Sequence, residues 1–357
     1  MTNVIASISA DVDDGGWEAD GIVFNDADAL DFNQTVKSWY GYYAGGWTDN
    51  AGAFSGHLSP DPWTKTLQSS NAPWKAYTAH EMMKRGDLQG IFFKSEASPA
   101  NRHQITSMTF AKIVYEIVTG HCNLVTPSDG TAHDSDLWGT VFTTPTHETG
   151  FMSLNIDYTN SATVASYEVK DGSFFSRLKE IASKEFYVVY CDKNNVFNYI
   201  PHPMFGATVP DSVFTLTSDL LLEPLEIERR NTEDIAQFVF YGSDPSGSAI
   251  SGVYPTDPNP GPIRRRGGYL CDSGSALTAI ATRAYLFETR EYTVTAQVGN
   301  GVGLMLDLLD RVNITYSSAA DGISWTAEPF YVHKIDVSIM DDFTAKTTLV
   351  LEQENSG

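Results

Sequence analysis

The stretch DGSFFSRLKEIASKEFYVVYCDKNNVFNYIP, residues 171–201, admits few folds. Phe174, Leu178, Ile181 and Ala182 recur at i, i+4, i+7 and i+8, the spacing of one helical face. Ser173 stands where an N-cap belongs, after the turn residues Asp171 and Gly172. Glu180 and Lys184 are placed for an i,i+4 pair on the outer side, which contributes about 0.3 kcal/mol. The run FYVVYC, 186–191, is β-branched and aromatic, so the helix gives way at once to a strand. Asp192 to Asn195 form a polar turn that tolerates left-handed geometry, and VFNYI, 196–200, returns as a second strand. The unit specifies a shape and carries almost no reactive chemistry.

The rest of the chain repeats that mixture. SMTFAKIVYEIVTG, 107–120, predicts a helix with Phe110, Ile113, Val114 and Ile117 on one face. Ser107 or Thr109 can cap it, and Gly120 suits the position after its end. AYTAHEMMKRG, 76–86, reads as a short helix closed by Gly86. Strand candidates fall at 137–144 and 151–158. Further on, LEIERR, 225–230, and AQFVFYG, 236–242, look like a strand pair. Residues 243–268 are the part richest in Pro, Gly and Ser, which reads as an inserted loop or linker. GSALTAIATRAYLFETR, 274–290, is a helix with Leu277, Ile280, Ala281 and Ala284 as its apolar face. It feeds EYTVTAQV, and LLDRVNITY, where Val312 and Ile314 alternate with polar residues, and two strands beyond complete an antiparallel series. Residues 1–105 hold short strands and long loops. The fold class is α+β, mainly β. The candidate packing core is Phe110, Ile113, Ile117, Phe174, Leu178, Ile181, Val312 and Ile314.

The search for chemistry excludes more than it finds. The formal net charge of −22 repels phosphates and anionic lipids, which argues against nucleic-acid binding as a main activity. No apolar run is long enough to span a membrane. The N-terminal segment has no basic n-region and no long apolar run, so it does not read as a secretory signal. Cys122, Cys191 and Cys271 are scattered, which disfavours zinc or a disulfide scaffold and suits a reducing cytoplasm. The motifs GxSxG, GxxxxGK[ST], HExxH and GxGxxG before a helix are absent. His80-Glu81 and His147-Glu148 lack the second histidine of a zinc protease and read as ordinary polar surface. DVDDGGWEAD, 11–20, has Asp11, Asp13 and Gly16 at calcium-loop offsets, but Gly15 and Ile22 stand where oxygen ligands belong. His121, Cys122 and His133 make a weak metal candidate. We expect no catalytic residue, cofactor or metal.

Two clusters are interface candidates. Arg264, Arg265 and Arg266 are the only basic cluster in an acidic chain, fit to pair with carboxylates of a neighbouring subunit or to end a solvated loop. Trp39, Tyr40, Tyr42, Tyr43 and Trp47 crowd between glycines, suited to packing or an interface, or alternatively to a sugar platform.

Read in order, four segments resemble the baseplate or tail hub proteins of tailed bacteriophages and related injection systems. They are MTFAKIVYEIVTGHCNL, the 171–201 unit with Ser173, Leu178, Ile181 and Ala182, EIERRNTEDIAQFVFYG, and the strand series from EYTVTAQV to TLVLEQ. The likeness covers roughly 106–353 in pattern, while 1–105 agree only in position. The resemblance implies two antiparallel barrel-like, tube-adapter β domains with smaller helix-plus-hairpin elements between and inserted. Residues 1–105 would form the first, with 137–165 a candidate for completing it, and 106–205 a helix and hairpin domain. Residues 206–245 with 291–357 would form the second, and 246–290 an inserted loop and helix. It also implies a homotrimer that adapts a sixfold tail tube to a threefold tip around the DNA and tape-measure channel. Its partners would be tube or distal tail protein above, tape measure inside and tip or fibre proteins below. Its place would be the virion, after synthesis in the host cytoplasm. The alternative reading is a tail-associated protein that binds or degrades glycans with its aromatics and carboxylates.

Overall fold

The computed structural model describes residues 2–24, 35–43, 47–58, 72–94, 103–104, 108–121, 125–126, 149–150, 152–164, 166–205, 210–229, 235–244, 246–271, 273–299, 302–319, 322–339 and 345–355. The strand candidate at 137–144 and the residues Ser107, Cys122, His133, His147 and Glu148 lie outside them, as do the side chains of Ile22 and His121.

Five α-helices occur among the described residues: α1 (His80–Arg85), α2 (Phe110–Glu116), α3 (Phe174–Glu185), α4 (Gly274–Glu288) and α5 (Val302–Met305). Local capping chemistry sets where they start. The Ser173 hydroxyl accepts from the Ser176 N–H at 3.3 Å, and Thr109 does the same for Lys112 at 3.2 Å. Ser273 caps α4 in the same manner. The ends differ from expectation. The α2 axis runs on into a π turn, Ile117–His121, where the Thr119 hydroxyl donates back to the Tyr115 carbonyl at 2.8 Å. In α3, Glu180 pairs with Arg177 at 2.5 Å, one turn back, and not with Lys184. The left-handed residue that closes α3 is Phe186, at φ 58°, and its ring packs against Phe240 and Phe287.

Eleven strands form one sheet. Its main path runs Glu226–Arg229, Tyr292–Val298, Ala345–Gln353, Ile323–Ile339, Thr2–Asp11, Gly16–Phe24, Ala72–Tyr77, Trp47–Leu58 and Thr35–Tyr43. Arg311–Ser318 branches from Ile323–Ile339 and carries Phe214–Thr217 in parallel. Thr2–Asp11 pairs with Ile323–Ile339 from Ser7↔Ser338 to Asp11↔Lys334. The two regions read as separate barrel-like sets are thus hydrogen-bonded to each other. The path has two ends, Glu226–Arg229 and Thr35–Tyr43.

The strand pair expected between 225–230 and 236–242 does not form. Glu226–Arg229 pairs with Tyr292–Val298, while Gln237–Ser243 is the centre of another sheet, between Ala249–Tyr254 and Ile263–Leu270. Burial explains the separation. Glu226, Glu228 and Arg229 are exposed, as a sheet end requires, whereas Phe238, Val239 and Phe240 are all buried and need cover on both faces. The stretch 243–268 is therefore not a plain loop, since it supplies both outer strands of that small sheet. Helix α4 covers the sheet so closely that a Cβ on Gly252 would lie 2.2 Å from the Leu277 backbone.

Two apolar cores result. One joins α1 to α4 with the small sheets and holds Phe110, Ile113, Ile117, Phe174, Leu178 and Ile181. The other lies on the large sheet and holds Val312, Ile314, Ile335, Leu349 and Leu351. Between them stands the hairpin Tyr187–Cys191 and Val196–Pro201, extended by Ser153–Ile156 in parallel. Its strands alternate between the cores. Tyr187, Val189, Cys191, Phe197 and Tyr199 belong to the helical core, and Val188, Tyr190 and Ile200 pack into the sheet core. The period-two run YVVYC makes a two-sided wall.

Candidate functional site

The wall meets the large sheet at the turn Val12–Gly15, between the strands Thr2–Asp11 and Gly16–Phe24. Gly15 has φ +95°, and a Cβ there would sit 1.8 Å from Cζ of Phe175 on α3. Only glycine allows this approach. Its carbonyl accepts from the Cys191 N–H at 2.8 Å, so the turn is sewn to the hairpin by backbone. Two lysines hold it from α1 and α3. Lys84 Nζ lies 2.5 Å from Asp14 Oδ1, and Lys179 donates to the Asp13 carbonyl.

Beneath the turn, Trp17 is fully buried and its Nε1 donates to Asp307 Oδ1 at 3.0 Å. Burial, then the neighbouring Asp192, pushes the Asp307 carboxyl up to about 7. Thr78 Oγ1 accepts from the Trp17 N–H at 3.1 Å and lies 2.8 Å from His80 Nδ1. Burial pushes His80 down to about 3, so its imidazole is neutral. His80 is thus a packed residue of the joint and not polar surface, and its neighbour Glu81 pairs with Arg85 at 3.1 Å. The turn of the hairpin is fixed as well, since Asn195 Oδ1 accepts from the Ala79 N–H at 2.6 Å.

On the helical side, the Glu185 carboxylate sits at the end of α3 with every contact inward. It accepts from Ser161 Oγ at 2.9 Å, the Ala162 N–H at 2.6 Å and the Tyr199 hydroxyl at 2.5 Å. Burial nevertheless pushes its pKa up to about 7, against those hydrogen bonds. Arg283 of α4 completes the lock, donating to the Glu185 carbonyl at 2.6 Å and the Asn160 carbonyl at 2.7 Å. On the sheet side, Arg290 and Glu352 form a buried ion pair. His202 is buried, with its ring edge-on to Tyr331 at 5.0 Å, and burial holds it well below the usual histidine range.

A cavity of about 450 Å³ opens between α3, the hairpin and the sheet, reached by Lys179, Tyr187, His202, Arg266 and His333. Its two carboxylates each face a basic side chain. The His333 hydrogen bond holds Asp13 below the usual carboxylate range, and Glu352 faces Arg290. A glycosidase needs paired carboxylates across a groove with one kept protonated as the acid. Here Glu185 and Asp307, each pushed up to about 7, accept from core donors instead. The arrangement joins two cores.

The sequence candidates distribute as follows. Arg264, Arg265 and Arg266 lie on a strand, Ile263–Leu270, and not in a loop. Arg264 and Arg266 both reach Glu288 of α4, the first at 3.0 Å, while Arg265 is exposed. Trp39, Tyr40, Tyr42 and Tyr43 belong to the Thr35–Tyr43 strand at one end of the large sheet, and Trp47 opens its partner. Their side chains lie outside the described residues. The two clusters are therefore on different sheets. Glu185 escaped the sequence reading, yet a signal existed. It stands at i+7 from Leu178 and i+4 from Ile181, on the apolar face. Arg283, Arg290 and Asp307 had no local signal, because their partners are remote in sequence.

No family model matches the chain, and no curated protein matches it. Solved structures do. The tail protein from Neisseria meningitidis MC58 superposes with a TM-score of 0.59 at 12% identity, over 99% of this chain and 97% of that one. Prophage tail protein gp18 from Listeria monocytogenes EGD-e gives 0.51 at 12% identity, over 99% and 89%. The 43 kDa tail protein of prophage MuSo2 from Shewanella oneidensis gives 0.51 at 11% identity, over 98% and 94%. The chain thus has, from end to end, the fold of phage and prophage tail proteins.

Proposed function

We propose that the chain is a structural, non-enzymatic hub subunit of a bacteriophage tail tip or baseplate. It assembles as a homotrimer and adapts the sixfold tail tube to a threefold tip. The observation that carries this reading is the end-to-end likeness to tail proteins, 99% of this chain against 97% of the Neisseria protein. The joint supports it, because its charged groups are spent on holding elements together. The ends of the large sheet support it too, since among the described residues Glu226–Arg229 and Thr35–Tyr43 each pair on one side, and a strand edge takes partners. Tube or distal tail protein lies above, tape measure inside and tip or fibre proteins below. The net charge of −22 lets DNA pass the channel without adhering, in host attachment and genome ejection. The aromatic strand Thr35–Tyr43 and the exposed Arg265 are the proposed subunit contacts.

Multi-angle light scattering on the purified chain tests the reading. It should return three times the chain mass of 39.2 kDa, with threefold particles in electron micrographs. A monodisperse monomer, or release of reducing sugar from host envelope polymers, contradicts it.

A further inference from the structure

We propose that Asp11, Asp13 and His333 form a binding site for one divalent transition-metal cation of the zinc class. This does not rest on the tail reading. Asp11 ends the strand Thr2–Asp11, Asp13 follows in the turn, and His333 arrives from the strand Ile323–Ile339. Two features aim the histidine. The Val12 N–H donates to the His333 carbonyl at 3.0 Å, which places that residue at the mouth of the turn. On its other side the register with Ala345–Gln353 shifts between Val332 and Lys334. His333 is therefore the extra residue of a bulge, a device that re-aims a side chain.

The donor geometry is close to that of a bound ion. His333 Nε2 lies 3.3 Å from Asp13 Oδ2 and 4.0 Å from Asp11 Oδ1, and the three ligand atoms fall within 4.8 Å of one another. Two ligands at zinc bond lengths in a tetrahedron are about 3.3 Å apart. The first pair has that spacing already; Asp11, whose Oδ1 also accepts the Asp13 N–H at 2.7 Å, has to close in from 4.0 Å to join it.

A separate observation points the same way. The other ring nitrogen, Nδ1, faces Glu352 Oε2 at 3.6 Å, and Glu352 is itself nearly buried and anchored by Arg290. That contact is longer than a hydrogen bond, but a carboxylate on the Nδ1 side favours a proton there once Nε2 takes a metal. Three carboxylates thus surround one imidazole. Against them stand Lys334, 3.6 Å from Asp11 Oδ2, Lys179, whose ammonium reaches the Asp13 carbonyl, and Arg290 on Glu352. The imidazole selects the ion. Calcium and magnesium prefer all-oxygen shells, whereas mixed nitrogen and oxygen sets suit zinc and its neighbours. The half-open side at Asp13, whose side chain is 82% exposed, gives the ion entry and leaves room for water as a further ligand. Bound there, the ion clips the turn to the Ile323–Ile339 strand.

The test is isothermal titration calorimetry of the full chain, untagged and stripped with EDTA, against zinc chloride, with calcium and magnesium chloride as separate arms. One saturable zinc site per chain is expected, with no calcium or magnesium site. Asp13→Asn should weaken binding about tenfold or more, as should His333→Gln, since ligand loss exceeds the loss known for outer-shell partners. Because the Asp13 side chain is exposed, the first variant keeps the wild-type circular dichroism without metal, so a loss of zinc heat in it is not a loss of fold. Absence of a saturable zinc heat in the wild type overturns the proposal. So does a site that binds calcium more tightly than zinc, or one unaffected in both variants.

Discussion

The helix and hairpin of 171–201 and the eleven-stranded sheet obey the same alternation rule, yet they draw on different information. In the first, helix, cap, turn and return strand lie within one short stretch, where Ser173 caps the helix and Asn195 takes the left-handed turn position at φ 63°. In the second, the ladder that joins the two halves pairs Ser7 with Ser338 and Asp11 with Lys334. The first is a component that any context would recognise. The second is an assembly whose order depends on the ends of the chain meeting. The wall of the hairpin lets one stabilise the other, since its two faces belong to different cores.

The largest effect expected is at Leu178, fully buried in the helical core. Leu178→Asp places an unpaired charge there, and Ile335→Asp does so in the sheet core; each should cost more than about 3 kcal/mol and abolish the folded state of the whole chain. Near-UV circular dichroism with soluble yield reads this. A folded sheet surviving Leu178→Asp would break the link between the regions. Gly15→Ala comes next. It combines a left-handed backbone with overlap on Phe175, so about 2–4 kcal/mol of destabilisation in urea unfolding is expected. A neutral result would mean that the turn does not press on α3.

The third effect depends on pH. Glu185 has a raised pKa of about 7 in the folded chain, against an ordinary 4.5. A raised carboxylate is most stabilising when protonated, so its contribution is full below about 4.5 and is lost as pH rises through 7. Glu185→Gln cannot ionise. Wild-type stability relative to that variant should therefore fall by roughly 3 kcal/mol between pH 4.5 and 7, read from paired denaturant curves. A flat difference would show that the carboxylate is solvated. The smallest effect is Ser173→Ala, about 1 kcal/mol for the lost cap, visible as a modest shift of the melting temperature.

Much of the local architecture was legible because its causes are local. Three helices, the hairpin turn and the terminal strands follow from caps, periodicity and β-branched runs. Strand partnership was not legible. AQFVFYG reads like a neighbour of LEIERR, but its burial on both faces sends it to a separate sheet under α4. The arginines looked like a loop because Pro and Gly surround them, yet Ile263–Leu270 gains a strand through pairing with Gln237–Ser243. At the joint, Gly15 meets Phe175 and Trp17 meets Asp307 across 160 and 290 positions, pairings that a single sequence does not display.

The central claim is that the hairpin wall couples the two cores, and native-state hydrogen exchange on Tyr190→Ala tests it directly. Tyr190 points into the sheet core, and its truncation should cost about 3–5 kcal/mol. The account predicts equal loss of amide protection in α4, on the far side of the wall, and in the Tyr292–Val298 strand. Loss confined to the strand, with α4 as protected as in the wild type, would contradict it.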